Sequence, residues 1–285
     1  MEQSAYDVVI AGGGVMGRGI ALCALSTGGG VTVIDPNPAA GDLLQADLAQ
    51  HLSREIKKGR ISPDQSPDWS QRLRFLTAWE AIPAHLFVEA VLEDIRVKHE
   101  VFALAEQFLP AEAVLTSNTS TLPIGLIGQH LARPERLAGM HFFNPATLMP
   151  LVEVIGSATT SPETLAFVTR AAIRMGKTPV TVKDTPGFIV NRAARFFYLE
   201  SLRIAEQTDI SPAVVDELMR ATGFRMGPFE LMDLIGIDTN HAVSHTLFES
   251  FGRNKRYQPS TLQQAMVDQG KLGRKSGQGF YPYPS

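Results

Sequence analysis

Two sets of residues in this sequence have the types and spacing to do chemistry. The first is rich in glycine: Val8-Val9-Ile10-Ala11 leads into Gly12-Gly13-Gly14-Val15-Met16-Gly17, and an apolar helical pattern follows. In this G-x-G-x-x-G spacing Gly12 permits a tight turn, Gly14 lets backbone approach a phosphate, and Gly17 allows the helix to pack closely on the strand. The first N–H groups of that helix, around Val15 and Met16, and its positive end suit an anion. A second apolar run, Val31 to Ile34, closes on Asp35, 18 residues beyond Gly17, where an acid accepts hydrogen bonds from the ribose of a dinucleotide. A 2′-phosphate there would meet a carboxylate, and the next cation after Asp35 is Arg54, so NAD is expected rather than NADP.

The second set is polar and lies further along: Ser117-Asn118-Thr119-Ser120, then His141-Phe142-Phe143-Asn144-Pro145, then Glu153 within Leu151-Val152-Glu153-Val154-Ile155. Taken singly, His141 has the ordinary reading of a hydrogen-bonded core histidine, and Glu153 that of an outward-facing strand residue. Together they fall at strand ends or inside apolar runs, and the carboxyl ends of parallel strands are where doubly wound sheets bind ligands. Glu153 alternates with Val152 and Val154 and is expected to project opposite to them.

These residues need a scaffold, and the hydrophobic pattern supplies one. Apolar, largely β-branched runs at Val8–Ile10, Val31–Ile34, Leu86–Val88, Val114–Thr116, Leu137–Met140, Leu151–Ile155 and Val180–Val182 alternate with helical patterns, which predicts βα units and a mostly parallel sheet. After Asp184 the pattern is helical only. Thr185-Pro186, Ser161-Pro162 and Ser211-Pro212 each read as an N-cap with proline at the first helical position. The expected fold is α/β, a Rossmann-type doubly wound, mostly parallel sheet over residues 1–185, followed by an all-helical C-terminal domain over residues 186–285. Phe188, Ile189, Phe196, Phe197, Leu199 and Leu202 recur at helical spacing, which fits either a buried core helix or a homodimer interface through the C-terminal helices.

With these segments in order, the chain resembles the L-3-hydroxyacyl-CoA dehydrogenase family, including bacterial 3-hydroxybutyryl-CoA dehydrogenases. The resemblance covers almost the whole chain. Beside the glycine loop it is carried by Glu89-Ala90-Val91-Leu92-Glu93 with Lys98, Ser117 to Ser120, His141 to Pro145, Asp184 to Arg192, Gly227-Pro228-Phe229-Glu230-Leu231, and Gly273 to Tyr281. It implies that His141 is the general acid/base and Glu153 its partner, and that Ser120 and Asn191 hold the substrate oxygen. Ser120, Glu93, Lys98, Asn144 and Lys275 are implied as cofactor contacts. Asn191 would come from the second domain to a site built by the first. The physics is consistent: an alcohol that loses hydride must also lose its hydroxyl proton, and a neutral imidazole suits that transfer.

The family binds CoA on the helix that here carries Arg54, Lys57, Lys58 and Arg60, and Lys58 falls at its phosphate-contacting lysine. His51 stands where the family can have serine. His85 replaces an acid common before its strand, and Arg225 replaces a residue often proline before Met226-Gly227-Pro228, where it is expected to shape the acyl end. The implied substrate is a short-chain (S)-3-hydroxyacyl-CoA. Relatives with the same chemistry act on carrier-protein-bound hydroxyacyl groups in polyketide extender-unit synthesis, or on free hydroxy compounds such as carnitine and gulonate. Others are crystallin-like structural proteins, against which the intact Ser120, His141, Glu153 and Asn191 argue.

Composition narrows the partners. Of 285 residues 44% are hydrophobic and 19% charged, which excludes disorder, and 26 basic against 29 acidic residues argues against nucleic-acid binding. The single Cys23 allows no internal disulfide and no thiolate zinc site, so no metal is expected and a reducing, cytoplasmic setting is. The first residues lack the basic and long apolar regions of a signal peptide, and no apolar run is long enough for a membrane span. At this length no fused hydratase module is expected. Gly28-Gly29-Gly30, before the second strand, exceed what a simple turn requires.

Overall fold

The structure is a computed structural model and describes residues 6–283. It divides into two compact units, Met1–Asp184 and Thr185–Ser285. In chain order the first unit runs β1 (Val8–Ala11), α1 (Val15–Leu25), β2 (Val31–Ile34), α2 (Ala39–Lys57), α3 (Ser66–Arg72), β3 (Leu73–Leu76), β4 (Leu86–Glu89), α4 (Ile95–Phe108), β5 (Val114–Ser117), α5 (Ile124–Ile127), β6 (Leu137–Phe142), β7 (Leu151–Gly156), α6 (Pro162–Arg174) and β8 (Thr178–Lys183). The second contains α7 (Val190–Gln207), α8 (Pro212–Ala221), α9 (Pro228–Ile235), α10 (Ile237–Ser250) and α11 (Thr261–Asp268).

The eight strands form one sheet in the order β3-β2-β1-β4-β5-β6-β7-β8, parallel except for the β6–β7 pair. This is a Rossmann-type doubly wound sheet extended at one edge. Chain order reverses between β1 and β4, so the crevice for a ligand opens beyond their carboxyl ends. Every residue of β1, β2 and β4 is buried, because helices cover both faces and a continuous apolar run is what such strands need. Val8, Ile10, Val33, Leu86 and Val88 join Ile20, Leu25, Leu44 and Leu48 of α1 and α2 in one core. Each such side chain contributes about 1.5–3 kcal/mol of burial.

Two features of this unit go beyond the sequence pattern. The edge strand β3 contains Arg74 and no β-branched residue, so it carries no strand signal of its own; pairing with β2 from Val31↔Leu73 to Ile34↔Leu76 makes it a strand. The glycine run at 28–30 has a steric cause: a Cβ on Gly29 would lie 1.9 Å from the Tyr6 carbonyl oxygen.

The second unit packs around Tyr198, Leu202, Val215, Phe229, Met232 and Ile237. Pro212 opens α8 directly after Ser211, and Ser161 caps α6 by accepting from the Thr164 N–H at 3.1 Å. Thr185 does not cap α7. Gly187 at φ 72° and Phe188 at φ 51° turn the chain through left-handed backbone first, and the helix begins at Val190. Asn191 therefore sits in the first turn of α7. Among the described residues no helix is long and apolar enough to cross a membrane.

Candidate functional site

The glycine loop joins β1 to α1 at the crevice. A Cβ on Gly17 would lie 1.8 Å from the Gly12 carbonyl oxygen, so only glycine lets the helix approach the strand this closely. Gly14 is the opposite case: nothing lies within 4 Å of where its Cβ would be, leaving open space against bare backbone. Gly14 is also the N-cap of α1 and provides no side-chain bond, so the N–H groups of Val15 and Met16 meet no capping side chain. Just after β2, Asp35 is locked in orientation, Oδ2 accepting from the Gly13 N–H at 2.7 Å and Oδ1 from the Asn37 N–H at 2.9 Å. An open cradle at a helix N-terminus, with a fixed carboxylate beside it, fits the pyrophosphate and ribose of NAD.

Across the crevice, the end of β4 carries a charge network built on the buried Glu89 and Lys98 and reaching the more exposed Glu93. The Lys98 ammonium, on α4, lies 2.7 and 2.8 Å from the two Glu89 oxygens and 3.1 Å from Glu93 Oε2. Glu89 also accepts from Ser117 Oγ at 2.5 Å. Through its other oxygen Glu93 gathers the loop after β5, accepting from Thr119 Oγ1 at 2.6 Å and from the Ser120 N–H at 2.9 Å. Burial acts to raise the Glu93 carboxyl, but the Lys98 ammonium and these hydrogen bonds outweigh it and hold the group below the ordinary carboxylate range. Lys98 and Glu93 thus fix the backbone that presents Ser120.

His141 and Glu153 come together in the antiparallel part of the sheet. They are directly opposite in the β6–β7 register, and His141 Nδ1 lies 2.8 Å from Glu153 Oε2. Both are buried, at 4% and 1% exposure. Glu153 does not face solvent, because this strand is covered on both faces; a buried carboxylate is tolerated when paired. With Nδ1–H donating to the carboxylate, Nε2 is the basic nitrogen. Asn118 ties this pair to the Ser120 loop, its Oδ1 accepting from the Phe142 N–H at 2.8 Å.

Glu89 and Asn118 carry this architecture although sequence reasoning gave them no role. Glu89 could have been found, as an acid ending the otherwise apolar Leu86-Phe87-Val88. The remaining expected residues make their own contacts within their units. Asn144 is exposed just past β6. His51 stacks on Trp69 at 5.8 Å between ring centres, and burial pushes its imidazole below the ordinary range. Lys58 follows α2 and pairs with Glu55 at 2.9 Å. In the second unit Lys275 pairs with Asp238. Among the described residues no cluster of His, Cys, Asp or Glu could hold a metal ion.

Comparison with known proteins gives matches along nearly the whole chain. Residues 7–185 match the family described as "3-hydroxyacyl-CoA dehydrogenase, NAD binding domain", and residues 187–283 match "3-hydroxyacyl-CoA dehydrogenase, C-terminal domain". The chain is 39% identical to the 3-hydroxyadipyl-CoA dehydrogenase of Escherichia coli K12 over 99% of its own length, and spans 60% of that relative. It is 36% identical to the mitochondrial hydroxyacyl-coenzyme A dehydrogenase of Sus scrofa, covering 97% of this chain and 90% of the relative. The crystal structure of (S)-3-hydroxybutyryl-CoA dehydrogenase from Ralstonia eutropha superposes with a TM-score of 0.92 at 34% identity, covering 99% of this chain and all (100%) of that one.

Proposed function

The chain belongs to the 3-hydroxyacyl-CoA dehydrogenase family, and from that membership we propose that it is an NAD-dependent oxidoreductase interconverting a short-chain (S)-3-hydroxyacyl-CoA and the 3-ketoacyl-CoA. The observation that carries this reading is the buried His141–Glu153 pair, in the same unit as a glycine loop suited to NAD. NAD, when bound, accepts the hydride leaving the carbinol carbon.

His141 Nε2 takes the hydroxyl proton as the ketone forms and returns one in reduction. Glu153, on the other ring nitrogen, holds the tautomer and stabilises the transient imidazolium. Ser120 and Asn191 donate to the substrate oxygen, where negative charge develops in the reduction direction. Glu93 and Lys98 serve as cofactor contacts, and the Lys98–Glu93 pair with the Ser120 N–H bond to Glu93 keeps Ser120 in place. Asp35 favours NAD over NADP, since a 2′-phosphate would face its carboxylate; equal efficiency with the two cofactors would overturn that preference.

The cations Arg54, Lys57, Lys58 and Arg60 at the end of α2 support a phosphate-bearing carrier, with Lys58 and His51 as its contacts. CoA and a phosphopantetheine-loaded protein share that chemistry. Exposed Val214 and Leu218, one turn apart on α8, support pairing of two copies through the C-terminal helices. The buried free thiol of Cys23 fits a reducing cytoplasm.

The deciding measurement is NADH oxidation with acetoacetyl-CoA, longer 3-ketoacyl-CoAs, a free keto acid and a carrier-protein thioester. Turnover of the CoA esters is expected. No turnover on any of them overturns the carrier assignment.

A further inference from the structure

The second unit contains an apolar cleft with one charge on it. It has a volume of about 670 Å³ and lies between α7, the segment before α9, and α9 itself, walled by Ala194, Phe197, Tyr198, Phe224 and Leu231. Arg225 is the one charged residue among those lining it. Among the described residues its guanidinium makes no hydrogen bond or ion pair. On α8 and α9 the charged groups are paired among themselves: Arg220 pairs with Glu230, and Asp216 accepts from the Phe229 and Glu230 N–H groups and from the Tyr281 hydroxyl.

The backbone under Arg225 is held on both sides. Phe224, before it, stacks on Phe197 with 4.8 Å between ring centres, and Gly227, after it, donates its N–H to Glu230 as α9 begins. The position of the cleft along α7 matters as well. Ala194 and Tyr198 lie three and seven residues beyond Asn191, on the same helix face. The cleft therefore starts about 5 Å, one helical turn, from the residue proposed to hold the substrate oxygen.

We propose that Arg225 is a specificity-determining residue that binds a carboxylate at the far end of the acyl chain, so that the substrate class is 3-hydroxyacyl thioesters of dicarboxylic acids. This rests on the dehydrogenase reading above and deepens it. The apolar walls suit methylene groups, and the guanidinium fork suits the carboxylate that ends them. Arg225 is exposed, so a chain ending in methyl leaves the guanidinium in water and gains nothing from it, whereas a carboxylate gains a two-pronged partner, and the difference sets the preference. CoA phosphates are a poorer match, since they carry several charges and a single cation on hydrocarbon walls offers them little.

The test compares (S)-3-hydroxyadipyl-CoA with (S)-3-hydroxyhexanoyl-CoA, equal in carbon number and differing in the terminal carboxylate, by NAD reduction with the full chain. The native protein is expected to prefer the dicarboxylic ester by about tenfold or more in kcat/KM. Arg225→Met should erase most of that preference, chiefly through KM, and Arg225→Lys should keep part of it, both melting as the native protein does. Oxidation of both esters without preference, or an unchanged ratio in Arg225→Met, overturns the role of Arg225 and leaves the dehydrogenase reading standing. An unchanged ratio accompanied by loss of a dimer would assign the cleft to a second copy instead. Oxidation of neither ester overturns both readings.

Discussion

His141 and Glu153 face each other across an antiparallel strand pair, Nδ1 to Oε2 at 2.8 Å, inside a sheet that is otherwise parallel. The reversal between β6 and β7 is what makes the contact, because residues directly opposite in such a pair bring their side chains together on one face. His141→Gln is expected to lower kcat by about 10²- to 10⁴-fold. Glu153→Gln should lower it by about 10- to 100-fold, the usual cost of losing a partner that orients a working group. In both variants the NADH dissociation constant, read by fluorescence titration, should stay near the native value. Near-native turnover by His141→Gln would remove that residue from its role.

The second and third glycines of the G-x-G-x-x-G spacing should fail in different ways. Gly17→Ala sets a methyl against the Gly12 carbonyl at 1.8 Å, and the backbone must shift at a cost of about 1–3 kcal/mol or more. Gly14→Ala meets nothing in the protein within 4 Å, so its melting temperature should match the native one while NADH binding weakens about tenfold or more. Calorimetry and titration separate the two effects, and a Gly14→Ala variant with native NADH affinity would count against the cradle.

Lys98 is 1% exposed and Glu89 is fully buried (0%), so the charges depend on each other. Lys98→Met leaves the carboxylate without its counter-charge and should destabilise the protein by about 3–5 kcal/mol in urea unfolding. Adding Glu89→Gln removes the stranded charge and should recover part of that loss. If the double variant is no more stable than Lys98→Met, the pairing is not what the lysine contributes.

Glu93 sets an acid-side dependence. Its carboxyl is held below the ordinary range in the folded protein, so the stability it adds is present above the unfolded value of about 4.3 and is lost as pH falls through the folded one. The stability gap between the native protein and Glu93→Gln, followed by urea midpoints from neutral pH downward, should therefore be full at pH 6 and close below about pH 4. The side chain is 39% exposed, which keeps the gap modest. A gap constant across this range would contradict the assignment.

The sequence by itself determined the sheet, the glycine loop and Asp35, because each is written locally: apolar runs bounded by turns, glycines at fixed spacing, an acid closing a strand. His141, Glu153, Ser120 and Asn191 came as candidates through the family resemblance that the ordered motifs carry. What it could not supply was company. The resemblance implied Lys98 as a cofactor contact but gave it no protein partner, and only the approach of α4 to the end of β4 sets it between Glu89 and Glu93. Asn118 is one polar residue among four until the β5–β6 pairing brings it to the Phe142 N–H. Strand β3 exists because β2 offers it an edge, and α7 starts at Val190 because left-handed backbone at Gly187 and Phe188 delays it. Arg225 was visible as an unusual residue, but that it stands alone on apolar walls one turn along α7 from Asn191 is a property of the packed helices. Local conformation follows from neighbours in the chain, whereas pairing, burial and the isolation of a charge depend on residues brought together from distant positions by packing.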